Sequence, residues 1–390
     1  MSKVELAKGV YWVGAIDWDL RYFHGYVTQR GSSYNSYLIV DEKVALIDTV
    51  KAPFVPELLS RIKEIIDLDK IDYLVSLHVE NDHAGGIPAV LAACPNARLI
   101  TSAPAGIKGL EAHFGPLEAD LIKTGDILNL GTKSLHFVQT PMLHWPDNTM
   151  AFLPENGILF SSDAFGQHYA SGIRFADEAP HEKLFHEAAK YYANIVMPYG
   201  AQTLKALDVA AKLAPKIIAP AHGLIWRDAK NIKQIAACYA DWGAYKTKEK
   251  AVVVYDTMWG STAQMATAIT QAFIDNNIPV EKMALQQNHM SDVVVEMLEA
   301  KYAAIGSPTL NNNILPTVAA FLSYIKGLTP QGRVGLAFGS YGWSGQSPAQ
   351  IQKAMQEMGW QTPLAPFKLV YRPKTEDLSS LQEAVKKLIE

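Results

Sequence analysis

Cysteine is scarce in this chain. Only Cys94 and Cys238 occur among 390 residues, far apart and in no paired motif. That excludes a disulfide framework, a thiolate zinc site and an iron–sulfur cluster of the chain's own. Long apolar runs are missing too: no window approaches a membrane span, and the N-terminal stretch MSKVELAKGVYWVG lacks the apolar segment of a secretory signal. There is no block of basic residues and the net charge is a mild −4, so neither nucleic acid nor a membrane is an expected partner. Internal repeats and low-complexity tracts are lacking, and the cytoplasm is the expected compartment. A chain of 390 residues exceeds one ordinary core, so two domains are expected.

What is present concentrates in the stretch Leu77–Gly86, LHVENDHAGG. His78, Glu80, Asp82 and His83 fall within six consecutive residues, directly after the apolar run Ile71–Leu77. That run reads as a buried strand and the Gly-Gly after it as a loop. Four metal-capable side chains at a strand end, in a loop too tight to disperse them, point to a metal site. A single His-x-Glu would more often be a polar loop facing water.

The first half shows short strands with interspersed helices. Strands are expected at Gly9–Ile16, Ser36–Val40, Val44–Thr49, Arg98–Thr101, Ser134–Thr140, Gly157–Ser161 and Lys216–Pro220, with helices at Pro56–Ile66, Ile87–Ala93, Ala105–His113, Glu182–Ile195, Thr203–Leu213 and about Asp228 to Tyr245. His78, His144, Asp163 and His222 each stand where an apolar strand gives way to a loop. In a layered α/β fold such ends gather on one edge, so distant residues can form one pocket. His113, His136 and His168 read as ordinary loop or core histidines.

After the charged step Ala244–Lys250 (AYKTKEK) the pattern becomes a regular βα alternation opened by the β-branched strand Ala251–Tyr255, the signature of a doubly wound parallel sheet. The expected domains are residues 1–248 and 249–390. Three strand-end loops of the second are rich in glycine and hydroxyl groups. The first is Asp256-Thr257-Met258-Trp259-Gly260-Ser261-Thr262, opening a helix whose N–H groups suit a phosphate, without the lysine of a triphosphate loop. The second is Gly306-Ser307-Pro308-Thr309-Leu310-Asn311-Asn312, and the third, Gly339-Ser340-Tyr341-Gly342-Trp343-Ser344-Gly345, offers rings to stack on a flat heterocycle. Any one of them could be a plain turn. Together, at one sheet edge, they point to a planar phosphate-bearing cofactor, most simply FMN.

With both halves read, the chain resembles the two-domain flavodiiron proteins, which join a metallo-β-lactamase-like domain (an αββα sandwich) to a flavodoxin-like domain. The family's H-x-E-x-D-H stands here as His78-Val79-Glu80-Asn81-Asp82-His83, and later ligands match His144 in MLHWPD, Asp163 in SSDAFG and His222 in PAHG. The second half is similar in YDTMWGST, GSPTLNNNILP and FGSYGWSGQS. The resemblance implies that His78, Glu80 and His144 bind one iron, that Asp82, His83 and His222 bind the other, and that Asp163 bridges them. It also places His24 (RYFHGY) and Tyr192 (KYYANI) near the pocket. It implies a head-to-tail homodimer, or a dimer of such dimers, in which the flavin of one subunit serves the metals of the other. The expected reactions are reduction of O2 to water, of NO to N2O, or both.

Glu80 carries the chemical argument. Hydrolases of this fold usually place histidine there and activate a hydroxide on paired zinc. A carboxylate adds one negative charge and a hard oxygen donor, which favours iron and stabilises its ferric state. The competing reading is a binuclear zinc hydrolase fused to an electron-transfer module, against which Glu80 speaks. A pure electron carrier is disfavoured by the near-complete ligand set. The sequence carries no CxxC pairs of a rubredoxin kind and no appended flavin reductase, so an external donor is expected, rubredoxin or reduced F420.

Overall fold

The computed structural model describes residues 4–389. The first three residues of the N-terminal stretch and Glu390, the end of the second expected domain, lie outside the described residues. The chain forms two compact units: Met1–His24, Thr28–Tyr191 and Ala201–Ala240 in one, and Gly25–Val27, Tyr192–Gly200 and Asp241–Glu390 in the other. The sequence places the join near Lys248, where composition shifts. The long segment of the second unit instead starts at Asp241, because Trp242 belongs to it. The Trp242 indole donates to Glu299 Oε1 at 3.2 Å, and its ring lies 5.1 Å from that of Tyr192.

The first unit is built on two sheets. Strands Val4–Ala7 (β1), Val10–Trp12 (β2), Tyr37–Ile39 (β3), Ala45–Ile47 (β4), Tyr73–Ser76 (β5), Arg98–Ser102 (β6) and Asp120–Ile122 (β7) lie side by side in chain order. Pairing is antiparallel as far as β4 and parallel from β4 onward. Ile127–Asn129 (β8), Ser134–Gln139 (β9), Thr149–Leu153 (β10), Ile158–Ser162 (β11) and Ile217–Pro220 (β12) form the second sheet, also in chain order. Alternate residues of both sheets interlock in one core: Ile39, Ile47, Val75 and Ile100 from the first meet Leu135, Phe137, Ala151 and Phe160 from the second. Leu38, Leu46, Leu74 and Leu99, on the opposite pleat of the first sheet, pack with Leu58 and Ile62 of helix Val55–Lys63 (α1), Val90 of Ile87–Ala93 (α2) and Leu110 of Ala105–Phe114 (α3). The period-two alternation of strands thus divides one set of apolar residues between two cores.

One directional fact positions the site. Strand β10 is antiparallel to both β9 and β11, while β11 and β12 are parallel. Strands β9, β11 and β12 therefore run the same way, and their carboxyl ends share one edge. A backbone bond from Thr149 N–H, at the start of β10, to the Leu77 carbonyl (3.0 Å) joins that edge to the end of β5 in the other sheet.

Two sequence expectations change in detail. The run Gly9–Ile16 is two strands, β2 and Ala15–Asp17, separated at Val13-Gly14. A Cβ at Gly14 would lie 2.1 Å from the Tyr34 carbonyl, so the chain turns where only glycine fits. The helix expected over Glu182–Ile195 is α-helical only over His181–Tyr191 (α4) and widens into a π-turn at Tyr192–Val196. Helices Gly200–Leu213 (α5) and Ala229–Gly243 (α6) complete the first half.

The second unit holds strands Lys248–Tyr255 (β13), Val280–Ala284 (β14), Ala300–Gly306 (β15), Val334–Tyr341 (β16) and Phe367–Val370 (β17), in the order β14-β13-β15-β16-β17 and all parallel. Helices Ser261–Asp275 (α7), Met290–Met297 (α8), Pro316–Leu328 (α9), Ser347–Glu357 (α10) and Thr375–Ile389 (α11) alternate with them. The order reverses at β13, and the crevice at such a reversal is where doubly wound sheets bind ligands.

Phe137 is buried between the two sheets of the first unit. Phe137→Ala should cost about 3–5 kcal/mol in thermal unfolding of the first unit.

Candidate metal centre and cofactor cleft

Each strand end delivers one part of the first site. Chain leaving β5 enters a single turn, Asn81–Ala84, carrying His78 and Glu80 on its approach and Asp82 and His83 within it. His144 follows β9, Asp163 follows β11 and His222 follows β12. These side chains form two groups, His78, Glu80, His144 and Asp163 in one and Asp82, His83 and His222 in the other; within each, ligand atoms lie within 4.8 Å of one another.

Asp163 faces both groups. Its Oδ2 is 3.1 Å from His144 Nε2 and 3.5 Å from His78 Nε2, while Oδ1 is 3.2 Å from His83 Nε2 and 3.5 Å from His222 Nε2. Glu80 Oε2 lies 3.3 Å from His78 Nε2 and 3.2 Å from His144 Nε2. Asp82 is 3.1 Å from His222 Nε2 and 3.3 Å from His83 Nε2. All seven are buried. Both oxygens of Asp163 and of Asp82, and both ring nitrogens of His83, have no hydrogen-bond partner among the described residues. Uncompensated buried carboxylates are costly unless a cation supplies the missing interaction, and hard oxygen with imidazole nitrogen suits iron. The residues present fit a metal pair.

The surroundings orient the imidazoles. Asp147 Oδ2 accepts from His78 Nδ1 at 2.9 Å and from Val79 N–H at 2.7 Å. His222 Nδ1 donates to the Ser33 carbonyl at 2.7 Å. Both rings thereby turn Nε2 to the pocket. The Thr49 hydroxyl bonds to the His83 carbonyl and accepts from Gly86 N–H at 3.2 Å, while Asp48 Oδ1 accepts from Leu77 N–H at 2.7 Å. Adjacent residues thus grip both ends of the ligand loop. Burial pushes the Asp48 carboxyl up to about 6.

His24 bonds through Nε2 to Glu80 Oε1, with its side chain 58% exposed to solvent. Tyr192 packs on Trp242, and the neighbouring Tyr191 is the tyrosine whose ring lies 5.9 Å from that of His222. His168, read from sequence as an ordinary histidine, sits 4.8 Å from the His222 ring, with Ser32 Oγ 2.7 Å from its Nδ1. Asp147 lay unmarked inside the quoted MLHWPD, and nothing in the sequence flags Ser33, which acts through its carbonyl.

The three loops of the second unit meet in a cleft of about 910 Å³, within the range of small-molecule sites. Gly260 adopts φ +87° and ends the first loop at the start of the fifteen-residue α7, with nothing within 4 Å of where a Cβ would stand. The helix N–H groups are left open to an anion. Asp256 shapes that loop by accepting from Thr257 N–H and Gln286 Nε2, each at 2.6 Å. Asn311 and Asn312, both at positive φ, make the tight turn of a hairpin in the second loop. Trp259 and Trp343 are 93% and 87% exposed at the cleft. Of the expected cofactor residues, Thr257, Gly260, Thr262, Ser307 and Gly345 are not among those lining the cleft; Thr262 and Ser340 join their hydroxyls at 3.1 Å. Gln264, Tyr371 and Arg372 line the cleft outside the three loops. An anion-binding helix start, stacking rings and a cleft of this volume fit FMN.

Residues 33–223 match the family described as ODP family beta lactamase, and residues 253–384 match the flavodoxin family. A nitric oxide reductase of Moorella thermoacetica is 43% identical over 99% of this chain and 98% of its own length. The chain belongs to the flavodiiron protein family. The rubredoxin-oxygen oxidoreductase of Megalodesulfovibrio gigas is 42% identical, covering 98% of this chain and 96% of its own. The solved flavodiiron protein of Giardia intestinalis superposes with a TM-score of 0.96 at 36% identity, covering 100% of this chain and 96% of the other. This flavodiiron protein is accordingly an oxidoreductase whose cofactors are FMN and a pair of iron ions, on the metallo-β-lactamase-like and flavodoxin-like folds expected from the sequence.

Two measurements follow. Burial would lower the His78, His83 and His144 imidazoles, but Asp147 at His78, Asp82 at His83 and Asp163 at His144 raise them instead, His83 to about 10. At pH 7 the metal-free pocket therefore holds protons that iron must displace. Ferrous-ion binding should release protons and weaken as pH falls, read by calorimetry in buffers of different ionisation enthalpy. Asp147→Asn should lower metal affinity 10- to 100-fold, measured as iron lost to a chelator.

Proposed function

We propose that this flavodiiron protein reduces O2 to water, NO to N2O, or both, at the histidine–carboxylate pocket. The observation that carries this reading is the placement of Asp163, one oxygen toward each ligand group. In the proposed assignment His78, Glu80 and His144 hold one iron, Asp82, His83 and His222 hold the other, and Asp163 spans them. The similarity to proteins named nitric oxide reductase and rubredoxin-oxygen oxidoreductase supports both substrates.

When bound, the iron pair and FMN supply the electrons, four for O2 to water and two for coupling NO. The chain's own residues do the rest. Glu80, Asp82 and Asp163 bring three carboxylates to the pocket, offsetting the added positive charge of an oxidised metal pair. Burial of all seven ligand side chains keeps bulk water from the reacting gas. Both reactions consume protons. His24 spans solvent and Glu80 and is the group placed to carry them, from water at its exposed edge to the Glu80 side through Nε2. Its hydrogen bond to Glu80 raises its affinity for a proton. Asp147 and the Ser33 carbonyl hold His78 and His222 in one orientation throughout. In the second unit the three loops position the flavin.

We further propose an external electron donor, rubredoxin or reduced F420, on the basis of the rubredoxin-linked relative, and a head-to-tail homodimer or dimer of dimers. No helix among the described residues is long and apolar enough to cross a membrane, and the cytoplasm is the proposed compartment.

Asp163→Ala should abolish O2 and NO consumption, assayed side by side with one defined reductant, while FMN stays bound. Normal turnover of either gas by that variant would disprove the diiron assignment.

A further inference from the structure

Among the described residues, the lining of the FMN cleft carries no aspartate or glutamate, and its one charged side chain is Arg372. Met258, Trp259, Trp343 and the amides and hydroxyls of the loops make up most of the remainder. Arg372 has no ion-pair partner among the described residues. A full positive charge therefore faces the cleft without a local carboxylate to cancel it.

Its place along the sheet separates it from the anion-binding end. The loop that opens α7 follows β13, whereas Arg372 follows β17, and β15 and β16 lie between them. Three strand spacings amount to about 14 Å, so the two loops stand at different ends of the cleft. Arg372 is held on the side of the aromatic loop. Tyr371 N–H donates to the Tyr341 carbonyl at 2.7 Å, and the Tyr371 ring lies 3.2 Å from where a Cβ of Gly342 would stand.

Reduction changes the charge of a flavin ring. The neutral oxidised ring takes two electrons from a reductant and one proton from water, and becomes a monoanion at neutral pH. Its phosphate is unchanged. A cation near the ring therefore favours the reduced form over the oxidised one, whereas a cation near the phosphate favours both equally. We propose that Arg372 compensates the charge the ring acquires on reduction, and so raises the potential at which this flavodiiron protein's FMN accepts electrons. Arg372 forms no bond to the ring, so it acts as a tuning residue. The acid-free lining works in the same direction, since a nearby carboxylate would repel the reduced ring.

The proposal rests on FMN occupying this cleft, and one titration tests both. The FMN absorbance of the purified holoprotein is followed during reductive titration with dithionite at low ionic strength, for the native protein and for R372Q, R372E and R372K. Binding of oxidised FMN to flavin-free protein is measured alongside. R372Q should weaken binding of reduced FMN about tenfold relative to oxidised FMN, which lowers the two-electron midpoint by about 30 mV. R372E should lower it by about 60 mV, the equivalent of a hundredfold change. R372K should restore most of the native value, and oxidised FMN should bind all four proteins within about twofold. An unmoved midpoint in R372E would overturn the proposal. So would equal weakening of oxidised and reduced FMN, the signature of a phosphate contact. A native protein that binds no FMN would overturn the cleft assignment itself and this inference with it.

Discussion

A buried carboxylate with two groups of imidazoles on either side sets the terms for the first unit. Asp163 is fully enclosed, and burial alone would raise its carboxyl. The positive charge of the neighbouring imidazoles, His83 first, reverses that and holds it well below the usual range. So strong a preference for the ionised form exists only because three strand ends deliver histidines to one point. The same density of charge leaves carboxylate oxygens and His83 nitrogens without hydrogen bonds, which a purely structural polar cluster would have satisfied. The pocket is arranged for metal rather than for fold stability.

Strand direction is what makes that arrangement possible. A single antiparallel strand, β10, between β9 and β11 aligns three carboxyl ends on one edge of the second sheet, and the Thr149–Leu77 bond fastens the first sheet to it. Further ties run between the first sheet's loops and the His222 segment: Asn35 Nδ2 donates to the Pro220 and Gly223 carbonyls at 2.8 and 3.0 Å, and the Tyr37 hydroxyl donates to Pro220 at 2.7 Å. Gly223 itself has φ +80°, and a Cβ there would lie 2.1 Å from Gln167 Oε1, so His222 is followed by the one residue type that lets the chain turn away.

Much of this was legible in the sequence because the chemistry was concentrated. Four candidate ligands in six residues at His78–His83 stand out without a structure, as do the apolar runs that end at Asp163 and His222. The βα rhythm of the second half is read from its β-branched strands, and its three loops from their glycines and hydroxyls. Residues that act through a backbone atom or at a distance leave no such mark. Ser33 works through its carbonyl, Thr49 through a turn far away in sequence, and His168 becomes a neighbour of His222 only when β12 is laid down. Strand β10 went unread because Thr149–Leu153 is buried on both faces and shows no alternation. Helix α4 was extended too far because periodicity does not register a π-turn.

The spread of the ligands along the chain, from His78 to His222, governs when metal can be taken up. No contiguous fragment shorter than that span holds both ligand groups, and both sheets must close before their strand ends converge. Non-local assembly of this kind is slow relative to helix formation. A nascent chain still lacking β12 therefore has only part of a pocket to offer.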